Sequence, residues 1–218
     1  MRRAEYALEF LDRPVSRADR EASLRDIDRL NTWFGGYWLT HRGIDCLTSD
    51  TADDRWRLIV DVGGGAGHFA CWLRRRRRAP HVVVLDRAVT ALPPGVLGVG
   101  ADAAALPLRE GAVDVVTTSL TLHHLDGEAV VRCLAEMRTV ARRGVVVNDL
   151  LRSRLTLGLV WLATRLLTRH HFARHDGPLS VRRAWAPDEI RTLAEKAGFS
   201  RIEIRRYPWL GRLLALLR

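Results

Sequence analysis

The chain has 218 residues, of which 47% are hydrophobic and 28% are charged, and its formal net charge is +10. This composition is typical of an ordinary soluble domain. The longest apolar stretch, 155–167, is interrupted by Arg165 and is too short to span a bilayer. Charged residues break up the first twenty positions, so we expect no signal peptide. Three cysteines lie far apart and favour neither a disulfide framework nor a Cys-x-x-Cys metal site, so we expect a cytoplasmic protein.

The net positive charge by itself raises nucleic acid or an anionic membrane as a partner. Almost all of that charge is arginine, however, and the arginine run at 74–78 falls where a helix is expected to end. Cations at this position are favoured by the negative end of the helix dipole. We therefore interpret the run as a solvated helix terminus and expect no nucleic-acid partner, while peripheral contact with a membrane surface stays open.

Hydrophobic periodicity predicts an N-terminal helical cap over residues 1–50, where Leu24, Ile27 and Leu30 fall on one helix face. Strands and helices then alternate through residues 51–218. Valine-rich runs typical of buried parallel strands lie at Leu58–Val62, His81–Asp86, Val113–Ser119 and 144–149, with helices predicted at 67–78 and 127–141. The alternation predicts an α/β fold with a Rossmann-like doubly wound sheet, whose ligands lie beyond the carboxyl ends of the strands.

The loop after the first strand reads DVGGGAG over residues 61–67, an acid followed by glycines. A phosphate-binding P-loop would need a Gly-Lys-Ser/Thr ending, which is missing here. A dinucleotide-binding loop would need a small residue where His68 stands. The loop instead resembles motif I of the class I S-adenosylmethionine (SAM) dependent methyltransferases, of the small-molecule, methyltransferase-11/12-like type.

Three further features extend this resemblance between residues 58 and 149. Asp86 ends the second strand, where a carboxylate can accept hydrogen bonds from both ribose hydroxyls, although a dinucleotide site places an acid similarly. Asp102, in the stretch GADAAALPLREG, resembles the aspartate that binds the adenine amino group, and the turn after Ser119 resembles the one facing the methionine end of the cofactor. The resemblance implies that SAM is bound by Asp61, Gly63, Gly64, Gly65, Gly67, Asp86, Arg87, Asp102, Ala103, Ser119, Leu120 and Trp33.

The candidate catalytic residues follow the fourth predicted strand, in the stretch TSLTLHHLD at 118–126. The resemblance favours His124 as the general base near the acceptor, because neutral imidazole near pH 7 can take a hydroxyl proton. His123 and Asp149 are the alternatives, and His123 equally fits a residue that seals the strand end. The pair Asn148 and Asp149 could bind magnesium, but a further acid partner is missing, so we expect no metal.

The stretch NTWFGGYW at 31–38 has two interpretations. It is either core packing of a cap helix or a lid, in which two glycines allow closure and bring Trp33, Tyr37 or Trp38 to the ligand. The sequence leaves both open.

Two segments near the C-terminus extend the predicted domain. A helical insertion at about 151–185 is apolar, which implies a hydrophobic acceptor, and its three histidines at 170, 171 and 175 are interpreted as solvated or substrate-facing. The stretch APDEIRTLAEKAGF at 186–199 resembles the family's last helix. Residues 201–218 resemble the antiparallel hairpin that ends the family's sheet, turning at 208–211, with an amphipathic helix on a membrane as the alternative.

We therefore expect a SAM-dependent methyltransferase that acts on a small, apolar or aromatic, natural-product-like acceptor, at oxygen. Methylation of an activated ring carbon is the nearest alternative. A SAM-binding protein without methyl transfer and a nicotinamide-dependent oxidoreductase are the alternatives from other classes. The oligomeric state is left open.

Overall fold

The computed structural model describes residues 1–49, 58–76, 81–89 and 92–218. Within these ranges the helices are α1 (Arg17–Trp33), α2 (Gly36–Thr48), α3 (His68–Arg74), α4 (Gly127–Val140), α5 (Arg154–Leu167), α6 (His171–Arg183) and α7 (Pro187–Lys196). The strands are β1 (Leu58–Val62), β2 (His81–Asp86), β3 (Leu97–Gly100), β4 (Val113–Ser119), β5 (Ala141–Leu150), β6 (Ile202–Tyr207) and β7 (Arg212–Leu217). Short 3₁₀ turns lie at Phe10–Asp12, Leu122–His124 and Pro208–Leu210.

The strands form one sheet in the order β3-β2-β1-β4-β5-β7-β6. Strands β1 to β5 pair in parallel, and β7 is antiparallel to both of its neighbours, β5 and β6. The predicted doubly wound, mostly parallel sheet with a C-terminal antiparallel hairpin is confirmed. The alternative of a membrane-lying helix at the C-terminus is wrong, because β7 is buried between two strands.

Strand β3 was missing from the sequence prediction. Its four residues, LGVG, are all exposed and half of them are glycine, so it carries neither an apolar run nor an alternating pattern. Strand β3 therefore joins the edge of the sheet through its backbone hydrogen bonds to β2.

Side chains of the central strands alternate between two core layers. Val60 and Val116 pack with α4 and α7 on one face of the sheet, whereas Ile59 and Val115 pack with α2 and α3 on the other. Burial on both faces explains why these strands read as continuous valine-rich runs. The same layering places every parallel carboxyl end on one edge of the sheet, where the site lies.

The N-terminal segment forms the predicted helices, but they begin only at Arg17. Gly35, at φ 69°, separates α1 from α2, and α2 packs directly on the sheet. The predicted insertion contains α5 and α6, which pack on each other. The boundary predicted between residues 50 and 51 lies outside the described residues, as do the last two arginines of the 74–78 run.

Among the described helices, none combines the length and hydropathy needed to cross a bilayer.

The approach of α2 to the sheet depends on Gly43. A Cβ at this position would lie 2.6 Å from Val146 Cγ1, inside van der Waals contact. We predict that Gly43→Ala lowers the free energy of unfolding by about 1–3 kcal/mol through overpacking. Gly158→Ala is the matched control, since this helical glycine has nothing within 4 Å and should gain up to about 1 kcal/mol. Urea denaturation of both variants measures the difference, and equal stabilities would contradict the close packing.

Candidate functional site

The glycine loop after β1 has a backbone that other residues rarely adopt. Gly63, Gly65 and Gly67 have φ of 74°, 54° and 71°, in the left-handed region that favours glycine. A Cβ on Gly63 would lie 2.3 Å from Thr121 Oγ1, and one on Gly64 would lie 2.7 Å from Asp61 Oδ2. Because these glycines carry no side chains, a ligand can approach the backbone of the loop at the end of β1.

Asp61 is a buried acid at the base of this loop. Thr117 Oγ1 donates a hydrogen bond of 2.9 Å to Asp61 Oδ1. Burial raises the pKa of Asp61 to about 7, against the lowering effect of the Thr117 hydrogen bond, and the nearby charge of Asp86 raises it further. The folded protein thus holds a carboxyl group whose ionisation is costly unless a cation lies nearby.

Asp86 and Asp102 are held by backbone and side-chain donors at neighbouring strand ends. Asp86 accepts hydrogen bonds of 2.9 Å from the backbone N–H of Gly65 and from that of Ala88. Asp102 accepts from the Ala104 N–H at 2.9 Å and from Arg87 Nη2 at 2.7 Å, which together hold its pKa below the usual range. Both carboxylates keep further lone pairs for a ligand.

A cavity of about 780 Å³ lies over these residues. Ten of the predicted cofactor residues line it: Asp61, Gly63, Gly64, Gly65, Asp86, Arg87, Asp102, Ala103, Ser119 and Leu120. We call it the cofactor cavity.

The structure does not bring Gly67 or Trp33 to the cofactor cavity. Gly67 instead begins α3, and a Cβ there would lie 3.2 Å from Leu92 Cδ2 and from Val96 Cγ1. Trp33 ends α1 with 59% of its surface exposed. Of the three aromatic residues proposed as a lid, Tyr37 is the one that lines the cavity.

Helix α1 supplies cavity residues that the sequence did not identify. Leu24, Ile27 and Asp28 line the cofactor cavity, and Tyr37 donates a 2.7 Å hydrogen bond to Asp28. The hydrophobic periodicity of the sequence placed Leu24 and Ile27 on one face of a helix, but it did not indicate which part of the protein that face contacts. The helix thus closes the cavity over the sheet.

A second, smaller cavity of about 150 Å³ lies next to the first. Its apolar wall includes Leu11, Ile27, Leu30, Phe34, Leu150 and Leu210. We call it the apolar pocket. Four residues line both cavities: Leu11, Ile27, Leu120 and His124.

Two of the residues around these cavities have unusual surroundings. Leu120 has a φ of 55°, a left-handed conformation that is uncommon outside glycine, and its N–H donates to Asn148 O at 3.0 Å. Arg212, on the wall of the apolar pocket, is buried, donates to Asn31 Oδ1 at 2.5 Å, and has no partner for Nη1 among the described residues. Burial lowers the pKa of Arg212 to about 10. Both features lie where a ligand would be held.

The three predicted catalytic residues come together with carboxylates at the junction of the cavities. His123 is buried, and its Nδ1 lies 2.7 Å from Asp149 Oδ1. His124 Nδ1 lies 2.7 Å from Asp12 Oδ1. A carboxylate only accepts hydrogen bonds, so Nδ1 is the donor in each pair, and Nε2 is the ring atom left to meet other groups.

Glu9 and Arg183 complete this cluster. Glu9 is buried, with its two carboxylate oxygens 3.8 Å from His123 Nε2 and 3.9 Å from His124 Nε2. Arg183 Nη1 donates to Glu9 Oε1 at 3.2 Å and also contacts Asp12 Oδ2. Burial raises the pKa of Glu9 to about 7, although the charges of His124 and Arg183 oppose that rise. We call Glu9, Asp12, His123, His124, Asp149 and Arg183 the histidine cluster.

The sequence missed Glu9, Asp12 and Arg183. The two acids precede the first helix, and Arg183 lies more than 170 residues further along the chain, so no local pattern relates them. Asn148, by contrast, is used structurally, since its amide donates to Gly36 O at 2.7 Å and to Thr40 Oγ1 at 2.9 Å.

A protein-family model, described as a methyltransferase domain, matches residues 60–147. Those residues contain the glycine loop, Asp86, Asp102 and both histidines of the cluster. This part of the chain is therefore similar to a methyltransferase domain, as the resemblance to class I SAM-dependent methyltransferases led us to expect. A malonyl-[acyl-carrier protein] O-methyltransferase from Dechloromonas aromatica (strain RCB) is 30% identical over 174 residues, which are 73% of this chain and 60% of that protein. The chain therefore spans less than two thirds of the length of this curated relative.

Solved methyltransferases share the fold. Human N-acetylserotonin methyltransferase, in complex with SAM, superposes with a TM-score of 0.57 and 17% identity, over 95% of this chain and 60% of that one. A SAM-dependent methyltransferase from Archaeoglobus fulgidus gives a TM-score of 0.53 and 17% identity, over 71% of this chain and 66% of that one. At such identities the likeness establishes the sheet and helix arrangement of this chain.

The residues of the cofactor cavity fit SAM, the cofactor of the methyltransferases that this chain resembles. The glycine loop offers open backbone, and Asp86 offers lone pairs at the end of β2. Ser119 lines the cavity, and its buried Oγ has no hydrogen-bond partner among the described residues. Acidic side chains at Asp61, Asp86 and Asp102 suit a cofactor that carries a cationic sulfonium and an ammonium group.

The raised pKa of Asp61 predicts a pH-dependent stability. The folded protein keeps a proton on Asp61 up to about pH 7, whereas the unfolded chain loses it near the ordinary value of 3.8. The folded state binds more protons between these values, so the contribution of Asp61 to the free energy of unfolding falls as pH rises through that window. Asp61→Asn removes this titration, so the stability of the variant relative to the native chain should increase from pH 5 to pH 8.

Urea denaturation at both pH values measures this difference. Thr117→Val provides the opposite case, because it removes the hydrogen bond that favours the ionised form and should steepen the loss of stability with pH. A difference between Asp61→Asn and the native chain that stays constant with pH would contradict the assignment.

Proposed function

We propose that this methyltransferase transfers the methyl group of SAM to an oxygen atom of a small, apolar or aromatic acceptor. The observation that carries the proposal is the wall common to the two cavities, formed by Leu11, Ile27, Leu120 and His124. A cavity that fits the cofactor adjoins an apolar pocket at a histidine. Donor and acceptor bound in these adjoining cavities would react where the cavities meet, beside His124.

The cofactor cavity assigns separate tasks to its acids. Asp86 accepts hydrogen bonds from the ribose hydroxyls, while its bond from the Gly65 N–H keeps the glycine loop in place. Asp102 accepts from the adenine amino group, with Arg87 fixing the orientation of its carboxylate. These are hydrogen bonds to ionised groups, which are stronger than those between neutral groups.

The apolar pocket favours an acceptor with a hydrophobic body and one polar end. Its leucine and phenylalanine side chains would desolvate an alkyl or aromatic group. The unpaired Nη1 of Arg212 is a donor for a carbonyl, carboxylate or phenolate oxygen. The name of the relative from Dechloromonas aromatica, an O-methyltransferase, supports oxygen as the acceptor atom.

His124 acts as the general base in this proposal. Asp12 accepts from Nδ1–H and so presents the Nε2 lone pair, which can take the proton of an acceptor hydroxyl. Asp149 holds His123 in the same tautomer beside it. SAM, when bound, supplies an electrophilic methyl group on its sulfonium, so the protein's task is alignment and proton removal.

We predict that Asp86→Ala weakens SAM binding at least about tenfold, because a charge-assisted hydrogen bond is worth roughly 1.5–3 kcal/mol. Isothermal titration with SAM measures the affinity. Asp188→Ala, whose side chain is 94% exposed, is the control and should bind SAM as the native chain does. An Asp86→Ala protein that melts normally and binds SAM normally would remove Asp86 from the cofactor site.

We predict that His124→Ala lowers turnover by roughly 10²-fold and leaves SAM affinity within a few-fold. Methyl-labelled SAM with a panel of small phenols and of fatty and aromatic acids first identifies an acceptor, and turnover is then compared on the best one. His41→Ala is the matched control, because His41 also pairs with a carboxylate, Asp45 at 2.9 Å, but lies on α2 away from both cavities. Full turnover in His124→Ala would place the base elsewhere, and SAM binding without transfer to any acceptor would favour a binding protein.

A further inference from the structure

Three electron-pair donors of the histidine cluster converge without a hydrogen bond between them. His123 Nε2 and His124 Nε2 lie 3.8 and 3.9 Å from the two oxygens of Glu9, too far for a hydrogen bond. The ligand atoms of these three residues all lie within 4.8 Å of one another. Since both Nδ1 atoms already donate to carboxylates, both Nε2 atoms face Glu9 with lone pairs. An arrangement of this kind can hold an electron-pair acceptor at its centre.

We propose that Glu9, His123 and His124 bind one divalent transition-metal ion, of which zinc is the best fit. Two imidazoles and one carboxylate form a ligand set that zinc uses in sites with an open position. Bonds of about 2.0–2.2 Å place neighbouring ligand atoms of a tetrahedral zinc roughly 3.3–3.5 Å apart. The three ligand atoms lie within 4.8 Å of one another here, so side-chain movements of about 1 Å would bring them to that spacing.

The residues behind the ligands support this assignment independently. Metal-bound histidines commonly donate their other ring N–H to a carboxylate, which fixes the ring and its tautomer. Both histidines do so here, His123 to Asp149 and His124 to Asp12, each at 2.7 Å. Two adjacent histidines, each with its own orienting carboxylate, go beyond what sealing a strand end requires.

The charges of the cluster leave room for a cation. Three carboxyl groups, those of Glu9, Asp12 and Asp149, surround the two imidazoles. One guanidinium, Arg183, contacts Glu9 and Asp12, and the buried Arg212 acts on Asp149 from further away. Arg183 donates to one oxygen of Glu9, Oε1, and so also holds the carboxylate in position toward the histidines.

The open position of the ion would face the apolar pocket, which all three ligands line. An acceptor hydroxyl bound there would lose its proton more readily, because a divalent ion stabilises the resulting oxyanion. This role rests on the proposed function, and in it His124 holds the ion rather than receiving the proton. The binding of the ion to the free protein does not rest on that function.

Metal binding is tested on the full chain, freed of metal with a chelator that is then removed. We expect one equivalent of Zn²⁺ by isothermal titration, a visible absorption band when Co²⁺ is added instead, and a rise in melting temperature with either ion. Glu9→Gln, which keeps the size of the side chain, and His123→Ala should each weaken binding at least tenfold and abolish the Co²⁺ band. Asp12→Asn, which removes an orienting charge, should weaken it about 10–100-fold. His41→Ala is the control and should bind as the native chain does.

Activity separates this proposal from the proposed function. Metal binding with no methyl transfer to any acceptor would support the metal site and contradict the proposed function. Methyl transfer by a protein that shows no Co²⁺ band and no stoichiometric Zn²⁺ binding would overturn the metal site and leave His124 as the base. Zinc binding that persists in folded Glu9→Gln and His123→Ala variants would overturn it as well, because the ion would then lie elsewhere.

Discussion

The buried contact of Arg183 with Glu9 and Asp12 is the interaction on which the site depends. It ties the segment before α1 to the end of α6, and so joins two parts of the chain that the sheet itself does not connect. Arg183 also donates to the backbone carbonyl of His124 at 3.1 Å, which fixes the turn after β4 to the same point. Without this guanidinium, the buried carboxylate of Glu9 would lose its arginine partner beside the histidines.

The site concentrates ionisable groups that folding alone would not favour. Burial raises the pKa of both Asp61 and Glu9 to about 7, one beneath the cofactor cavity and the other at the apolar pocket. Replacing buried charges by apolar side chains is often neutral or stabilising, so such groups are better explained by ligands than by stability. The cationic cofactor and the proposed metal ion are the two partners whose positive charge would stabilise the ionised forms of Asp61 and Glu9.

The sequence predicted the fold, and the structure brings ten of the candidate cofactor residues to one cavity, because both depend on local patterns. Valine-rich runs located β1, β2 and β4 to the residue, and acids or glycines at strand ends lie together because parallel strands end on one edge. The histidine cluster was only half predictable. His123, His124 and Asp149 stand at strand ends, whereas Glu9, Asp12 and Arg183 come from irregular or helical segments whose approach depends on tertiary packing. Trp33 shows the converse case, since an aromatic residue in a suggestive stretch can simply end a helix at the surface.

The left-handed backbone at Leu120 bears on how much water can reach a methyl donor bound in the cofactor cavity. A glycine would adopt this conformation without the cost of about 1 kcal/mol or more that a leucine bears. A glycine would also remove one of the four side chains that line both cavities. The leucine side chain thus fills space that a glycine would leave open between the cofactor cavity and the apolar pocket, and so would limit the water that reaches a bound methyl donor from the acceptor side.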